Sequence, residues 1–299
     1  MTSTLTPLKG MAVIEGIEAV RQEVAAARRQ GARIGLVPTM GALHAGHVSL
    51  IEAARRSCDL VAVSIFVNPT QFGPNEDFKK YPRTLEDDLE ACRTHGVDLV
   101  FHPAPEAIYP AEFHTFVNVS GLSQVLEGQF RPGHFQGVAT VVLKLLNIVA
   151  PDVAFFGQKD FQQQLLVRRM CVDLNVPCEI RVCPTVREAD GLALSSRNVF
   201  LSPEERKSAL ALSGCLNGAR ERLLQGETNL ELVRKVMDQT LRGMPLVVPE
   251  YATLADPETL DELSAVQSRM VALVAARLGK TRLIDNLLIE LPVRGATPA

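Results

Sequence analysis

Pro38-Thr39-Met40-Gly41-Ala42-Leu43-His44-Ala45-Gly46-His47 joins two segments of different periodicity. Before it, Ile34-Gly35-Leu36-Val37 is a short apolar run of the kind buried in a parallel sheet. After it, residues 48–55 carry apolar side chains at helical spacing. Two histidines therefore fall at a strand-to-helix turn, where the free N–H groups and positive dipole end of a helix favour an anion. Gly41 and Gly46 allow close backbone approach to a ligand, and imidazole N–H groups donate to phosphate oxygens as charge builds on them. The turn reads as a place to hold a nucleoside triphosphate under attack. Two other readings compete, a pair of metal ligands and two surface histidines without a role. The metal reading lacks a third ligand at recognisable spacing, since neither Cys-x-x-Cys nor His-Glu-x-x-His occurs.

Working outward, the chain alternates between the two periodicities. Ile14, Ile17, Val20 and Val24 predict a helix over 14–30, with Gly31 as its cap. A strand is expected at 60–67, a polar loop at 68–83, a helix at 84–95 and a strand at 98–102. The helix 137–149, strand 153–156, helix 160–174 and strand 179–186 continue the rhythm. That order predicts an α/β fold over residues 1–187, a Rossmann-like parallel sheet with helices on both faces. Ligands of such sheets bind beyond the carboxyl ends of the strands. The histidine turn, Asn68–Gln71 and Gly157–Asp160 all follow strands, so they are expected along one edge. Around residue 188 the rhythm changes. Ser202-Pro203-Glu204-Glu205 has the form of a capping box. Helices at 203–224 and 229–242 precede strands at 250–254, 271–277 and 283–288, with a short helix between the first two strands. Residues 188–299 thus form a smaller C-terminal α+β domain, and Arg294–Ala299 are expected to fray.

Of the 299 residues, 46% are hydrophobic and 22% charged, ordinary for a globular protein. A net charge of −3 gives no global basic field for nucleic acid. The pairs Arg28-Arg29, Arg55-Arg56 and Arg168-Arg169 fall on helices and read as solvated faces. The start lacks the apolar region of a secretory signal, and no run is long enough to span a membrane. The six cysteines are expected to be buried and reduced. A cytoplasmic location follows as an expectation.

Three further segments carry polar chemistry, each with a plain structural alternative. Asn68-Pro69-Thr70-Gln71-Phe72-Gly73 offers amides suited to hydroxyls and a carboxylate, or is a polar turn built on Pro and Gly. In Gly157-Gln158-Lys159-Asp160, Lys159 supplies a point charge and Asp160 a helix cap, with Gln163 one turn along; a capped helix alone explains it equally well. Leu194-Ser195-Ser196-Arg197-Asn198 concentrates donors suited to polyphosphate, or is a polar linker. Neither a Cys–His pair nor Gly-x-Ser-x-Gly marks a protein nucleophile, so positioning and electrostatics are left to supply catalysis.

Together these segments resemble the pantothenate synthetase (pantoate–β-alanine ligase) family, of the nucleotidyltransferases with a His-x-Gly-His turn. The resemblance rests on residues 38–47 and on Phe-Val-Asn-Pro-Thr-Gln-Phe at 66–72. It continues through residues 75–78 and 81–83, Arg-Pro-Gly-His-Phe at 131–135, residues 157–163, 195–198 and 280–286. It implies ATP-dependent condensation of (R)-pantoate with β-alanine through a pantoyl adenylate, giving pantothenate, AMP and pyrophosphate on the way to coenzyme A. It also implies that His47, His44, Lys159 and Arg197 are catalytic, with His47 the proton donor. Met40, Gly41, Ala42, Leu43, His44, Ala45, Gly46 and His47 would bind ATP. So would Gly157, Gln158, Lys159, Asp160, Val186, Leu194, Ser195, Ser196 and Arg197. Gln71 would bind pantoate and β-alanine, and Gln163 pantoate. Mg²⁺ is expected with the phosphates, its ligands not fixed by the sequence, although Asp87 and Asp88 are candidates. A homodimer is implied, with no nucleic-acid or membrane partner. The chain departs from the family at Gln158, where Glu is common, and at Leu194, where Met is usual; Leu for Met roughly conserves volume. Rival readings are an adenylyltransferase that stops at AMP transfer and a nucleotide-binding regulatory module. A tRNA-charging enzyme is disfavoured by the absence of Lys-Met-Ser-Lys-Ser.

Overall fold

The computed structural model describes residues 10–74 and 76–292; the first nine residues, Asn75 and the expected frayed tail Arg294–Ala299 lie outside them. The chain divides into two compact units, Met1–Gln158 with Gln162–Pro184, and Lys159–Phe161 with Thr185–Ala299. The change of unit thus falls three residues before the 187/188 boundary read from the sequence, and Lys159–Phe161 group with the second unit. The local cause is bonding within that unit. The Lys159 carbonyl accepts from Asn286 Nδ2 at 2.8 Å, and Arg187 forms a bidentate pair with Asp285.

In the first unit, β1 (Ala12–Ile14), β2 (Ile34–Thr39), β3 (Leu60–Ile65), β4 (Leu99–Phe101), β5 (Val153–Gly157) and β6 (Glu179–Cys183) make a parallel sheet. Its order is β1-β4-β3-β2-β5-β6. The accompanying helices are α1 (Ile17–Arg29), α2 (Ala45–Arg55), α3 (Leu85–Thr94), α4 (Pro105–Ile108), α5 (Glu127–Phe130), α6 (His134–Val149) and α7 (Phe161–Asp173). Successive strand residues point to opposite faces, which sorts the apolar runs into two cores. Ile34, Leu36, Leu60, Leu99 and Ala154 pack with Val20 of α1 and Leu145 of α6. Val37, Val61, Val63, Val100 and Phe155 pack with Leu50 and Ile51 of α2 and Cys92 of α3. Helices therefore cover both faces, as the uninterrupted apolar strands require.

Strand order reverses between β2 and β5. Their ladder holds only Gly35↔Val153 and Leu36↔Ala154, whereas β2–β3 pairing runs on to Thr39↔Ile65. The two strands lose their pairing before their carboxyl ends, at the switch point where open α/β sheets bind ligands.

Five expectations are corrected. Ile14 belongs to β1, paired with Phe101, not to the first helix; a three-residue edge strand is too short to show a period. The expected strand 179–186 stops at Cys183, and α6 starts at His134 instead of residue 137. Residues 256–262 form no helix: Asp256 Oδ1 accepts from the N–H groups of Glu258 and Thr259, and the chain folds back to bridge Ala255 with Glu262. Arg28 and Arg55 are not merely solvated. Arg28 pairs with Asp152, and Arg55 binds Asp98 and the carbonyls of Cys58 and Gly96.

The second unit contains α8 (Pro203–Ser208), α9 (Leu210–Leu224) and α10 (Leu230–Arg242), followed by β7 (Val247–Ala255), β8 (Arg269–Leu278) and β9 (Thr281–Glu290). The strands form an antiparallel meander, and Leu212, Leu216, Val233, Met237, Met270 and Val274 share its core. Ser202 and Glu205 make the reciprocal capping bonds read from the sequence. The expected 203–224 helix is interrupted only at Ala209, whose backbone stays right-handed helical. Among the described residues no helix is long and apolar enough to cross a membrane.

Candidate active site

The turn after β2 is shaped by its neighbours before any ligand is considered. Gly41 has φ +82°, and a Cβ there would lie 2.8 Å from Asp88 Oδ2 and 3.1 Å from Ile65 Cγ2, so only glycine fits. Ala42 is also left-handed, at φ +51°. That conformation, uncommon for alanine, is held by Asp88 on α3. Its carboxylate accepts from Ala42 N at 2.9 Å and Leu43 N at 2.7 Å, and Asp88 is 2% exposed. Thr39 Oγ1 anchors the start of the turn by donating to the Ser64 carbonyl and accepting from Gly41 N.

His44 is the N-cap of α2. Its Nδ1 accepts from Gly46 N at 3.1 Å, while His47 Nδ1 accepts from His44 N at 3.3 Å, a capping box made of two imidazoles. A neutral ring that accepts at Nδ1 carries its proton on Nε2. The backbone thus sets the tautomer of both rings, whose centroids are 4.2 Å apart. Two Nε2–H donors stand side by side at the start of an 11-residue helix, on the carboxyl end of β2.

Gln71 follows β3 in the 3-10 turn Pro69–Gln71 and is 8% exposed. Its Oε1 accepts from Asn68 Nδ2 at 3.0 Å, and its Nε2 contacts Met40 Sδ at 3.2 Å. A thioether is a weak acceptor, so a carboxylate or hydroxyl oxygen is a better partner for that amide. Asn68 is committed to structure: Oδ1 accepts from Thr70 Oγ1 and Tyr109 Oη, and Nδ2 also donates to the Gly137 carbonyl. Gly157 and Gln158 lie at the carboxyl end of β5, and Gln163 is half-buried on α7.

In the second unit, Val186 and Leu194 pair directly, the Val186 carbonyl accepting from Leu194 N at 3.0 Å. This hairpin leads into Ser195, which caps the 3-10 turn Ser196–Phe200 by accepting from Arg197 N. Lys159, Ser195, Asn198, Leu283 and Asp285 line a small pocket. Asn198 Oδ1 is buried without a hydrogen-bond partner. Asp160 is exposed, in the 3-10 turn that enters α7.

Sequence reading did not assign roles to Asp88 as a loop anchor, to Arg187, Asp285 and Asn286, or to Glu76, Arg131 and His134. The last two lie in the Arg-Pro-Gly-His-Phe motif. Among the described residues no three His, Cys, Asp or Glu side chains converge as metal ligands. Asp88 spends its oxygens on backbone N–H groups, and Asp87 is exposed on α3. The residues present do not fit a protein-built Mg²⁺ cage. All six cysteines are free thiols. Burial pushes Cys92, Cys178 and Cys215 up to about 12 and Cys171 to about 11, far from a reactive thiolate.

Comparison with known proteins points one way. A family model described as pantoate-beta-alanine ligase matches residues 12–288. A pantothenate synthetase from Moorella thermoacetica is 54% identical over 280 residues, covering 94% of this chain and 99% of that protein. The crystal structure of pantothenate synthetase from Thermus thermophilus has a TM-score of 0.88 at 47% identity, covering 93% of this chain and 99% of that one. A pantoate-beta-alanine ligase from Francisella tularensis, in a crystal structure with beta-gamma ATP and beta-alanine, has a TM-score of 0.76 at 36% identity. That match covers 93% of this chain and 98% of the other.

Proposed function

The chain belongs to the pantoate–β-alanine ligase family and joins pantoate to β-alanine at the expense of ATP, a premise from which we propose how its residues divide the work. The pantoate carboxylate attacks the α-phosphorus of ATP, the bond to the bridging oxygen breaks, and pyrophosphate leaves. The amine of β-alanine then attacks the carbonyl of the pantoyl adenylate, and AMP departs as pantothenate forms. The substrates supply both nucleophiles, in accord with the inert cysteines. The protein's task is to neutralise charge on the departing groups and to keep water from the adenylate.

His44 and His47 donate to phosphate oxygens, with His47 the proton donor; the backbone amides of Met40–His47 complete the anion site. Lys159, Ser195, Ser196 and Arg197 add charge and donors from the second unit. Gly157, Gln158, Asp160, Val186 and Leu194 surround the rest of the nucleotide. Gln71 exchanges its Met40 contact for a substrate oxygen, and Gln163 assists with pantoate. In this reading residues 1–187 bind nucleotide and pantoate, and residues 188–299 close over ATP. The observation that carries it is the pair of imidazoles with tautomers set by reciprocal capping.

Mg²⁺ would arrive on the ATP phosphates, a mode ordinary for this ion. A cytoplasmic homodimer completes the proposal, supported by the family resemblance. A sedimentation mass of 32.6 kDa, that of one chain, would overturn the dimer.

Labelled pyrophosphate is expected to exchange into ATP with pantoate present and β-alanine absent. Exchange without pantoate, or strict dependence on β-alanine, would exclude the adenylate route. For roles, His47→Ala is expected to slow adenylate formation more than it weakens ATP binding. An equal loss of affinity with an unchanged chemical step would remove the proton-donor assignment.

A further inference from the structure

Gln71 is held from behind by three residues to which the reaction gives no part. His134 opens α6 and is 8% exposed; its Nδ1 lies 2.8 Å from the Gln71 carbonyl, and its Nε2 lies 3.0 Å from Arg131 Nη1. A guanidinium only donates, so Nε2 is the acceptor and Nδ1–H donates to Gln71. Arg131 in turn forks onto Glu76, Nε to Oε1 at 2.7 Å and Nη2 to Oε2 at 2.6 Å. Both partners are largely buried, with side chains 15% and 25% exposed. Burial drives the His134 pKa down to about 4, with Arg131 adding to the effect, so the ring is neutral and its tautomer single.

The consequence is geometric. The Gln71 carbonyl is fixed by His134 on one side, and its turn sits on α6, where Gly137 leaves room for the Thr70 carbonyl and Gln71 N. The peptide that carries the Gln71 side chain therefore cannot rotate without breaking a chain of bonds that ends in a partly buried ion pair. Such a chain orients a substrate-binding amide without touching substrate.

We infer that Glu76, Arg131 and His134 are positioning residues that aim the Gln71 amide at pantoate, and so set the KM for pantoate while leaving ATP affinity alone. This rests on the reading of Gln71 as a pantoate ligand.

The test exploits the two imidazole nitrogens. The amide nitrogen of Asn falls near Nδ1, and that of Gln falls near Nε2. His134→Asn is therefore expected to keep the bond to Gln71, and His134→Gln to lose it. In pantoate-dependent ATP–pyrophosphate exchange, His134→Gln should raise the pantoate half-saturation about 5- to 20-fold, the range of one lost hydrogen bond. His134→Asn should stay within about 3-fold of the parent. Glu76→Gln, which keeps the fold's shape but weakens the fork, should shift pantoate in the same direction. ATP half-saturation should stay within about 2-fold in all three. If His134→Gln does not fold, Glu76→Gln carries the test. Gln71→Ala is measured alongside. If it leaves pantoate half-saturation unchanged, the ligand reading of Gln71 fails. If it raises the value while Glu76→Gln and any folded His134→Gln do not, the positioning role is overturned. Equal losses for pantoate and ATP, or no rescue by Asn, would also overturn it.

Discussion

Asp88 places two carboxylate oxygens against two backbone N–H groups, so no substitution there is conservative. Asp88→Asn keeps the shape but turns an NH₂ towards a backbone N–H, leaving the left-handed Ala42 without one of its holds. Hydrogen bonds to a charged group are worth about 1.5–3 kcal/mol. A 10- to 100-fold fall in kcat/KM for ATP is therefore expected, read by steady-state kinetics beside a melting curve. A lower melting temperature with unchanged kcat/KM would show that nucleotide does not depend on the shape of this turn. The histidines were legible because a strand-to-helix turn has a local signature. Asp88 was not. It meets the turn from 45 residues away, and in sequence Asp87 and Asp88 stand out only as Mg²⁺ candidates. His134 adds a pH signature. Its folded pKa near 4 lies below the ordinary 6.5, so between these values the unfolded chain binds more protons. Stability therefore falls as pH drops from 6.5 to 4, by up to about 3 kcal/mol from this group. Glu76 adds a loss at the acid end, because Arg131 outweighs burial and holds its carboxyl below the usual range. Melting temperature against pH should flatten over this window in His134→Asn; an unchanged slope would contradict the assignment.

At the level of elements, the apolar strands announced themselves because a sheet covered on both faces leaves no polar positions to confuse the pattern. The failures were of two physical kinds. β1 exists only through its pairing with β4, and three residues carry no period. The 256–262 turn is built from Asp256 side-chain caps, which compete with a helix for the same N–H groups. Gly137 shows a third limit. Within α6 it reads as a neutral helical position, yet a Cβ there would lie 2.7 Å from Gln71 N. Ala exceeds Gly in helix propensity by about 1 kcal/mol, but overpacking costs about 1–3 kcal/mol and rigid backbone lies at the high end. Gly137→Ala is expected to lower the melting temperature and to raise the pantoate KM, because the 68–71 turn must move. A stabilised variant with normal kinetics would mean that the turn yields easily and that its seat on α6 does not matter.

The whole molecule is two units, the first with a core on each face of its sheet and the second with one core, and the residues expected on ATP are divided between them. Met40–His47, Gly157 and Gln158 belong to the first unit; Lys159, Asp160, Val186 and Leu194–Arg197 belong to the second. The sequence shows a change of rhythm near residue 188, but gives no sign of the assignment of Lys159–Phe161, which depends on the bond from Asn286 on β9. A bound nucleotide stabilises the bound state over every opening that releases it, by an amount set by ligand concentration over Kd. At about 100-fold excess over Kd this is about 2.7 kcal/mol, enough to slow local exchange markedly. ATP is therefore expected to slow amide hydrogen exchange both in residues 41–48 and in residues 194–198, while the far strand β1 is unaffected. On the proposed reading, Arg197→Ala should reduce protection at the histidine turn as well as in its own segment. Protection confined to residues 41–48 would assign the nucleotide to the first unit alone and remove Lys159, Ser195, Ser196 and Arg197 from the phosphate site.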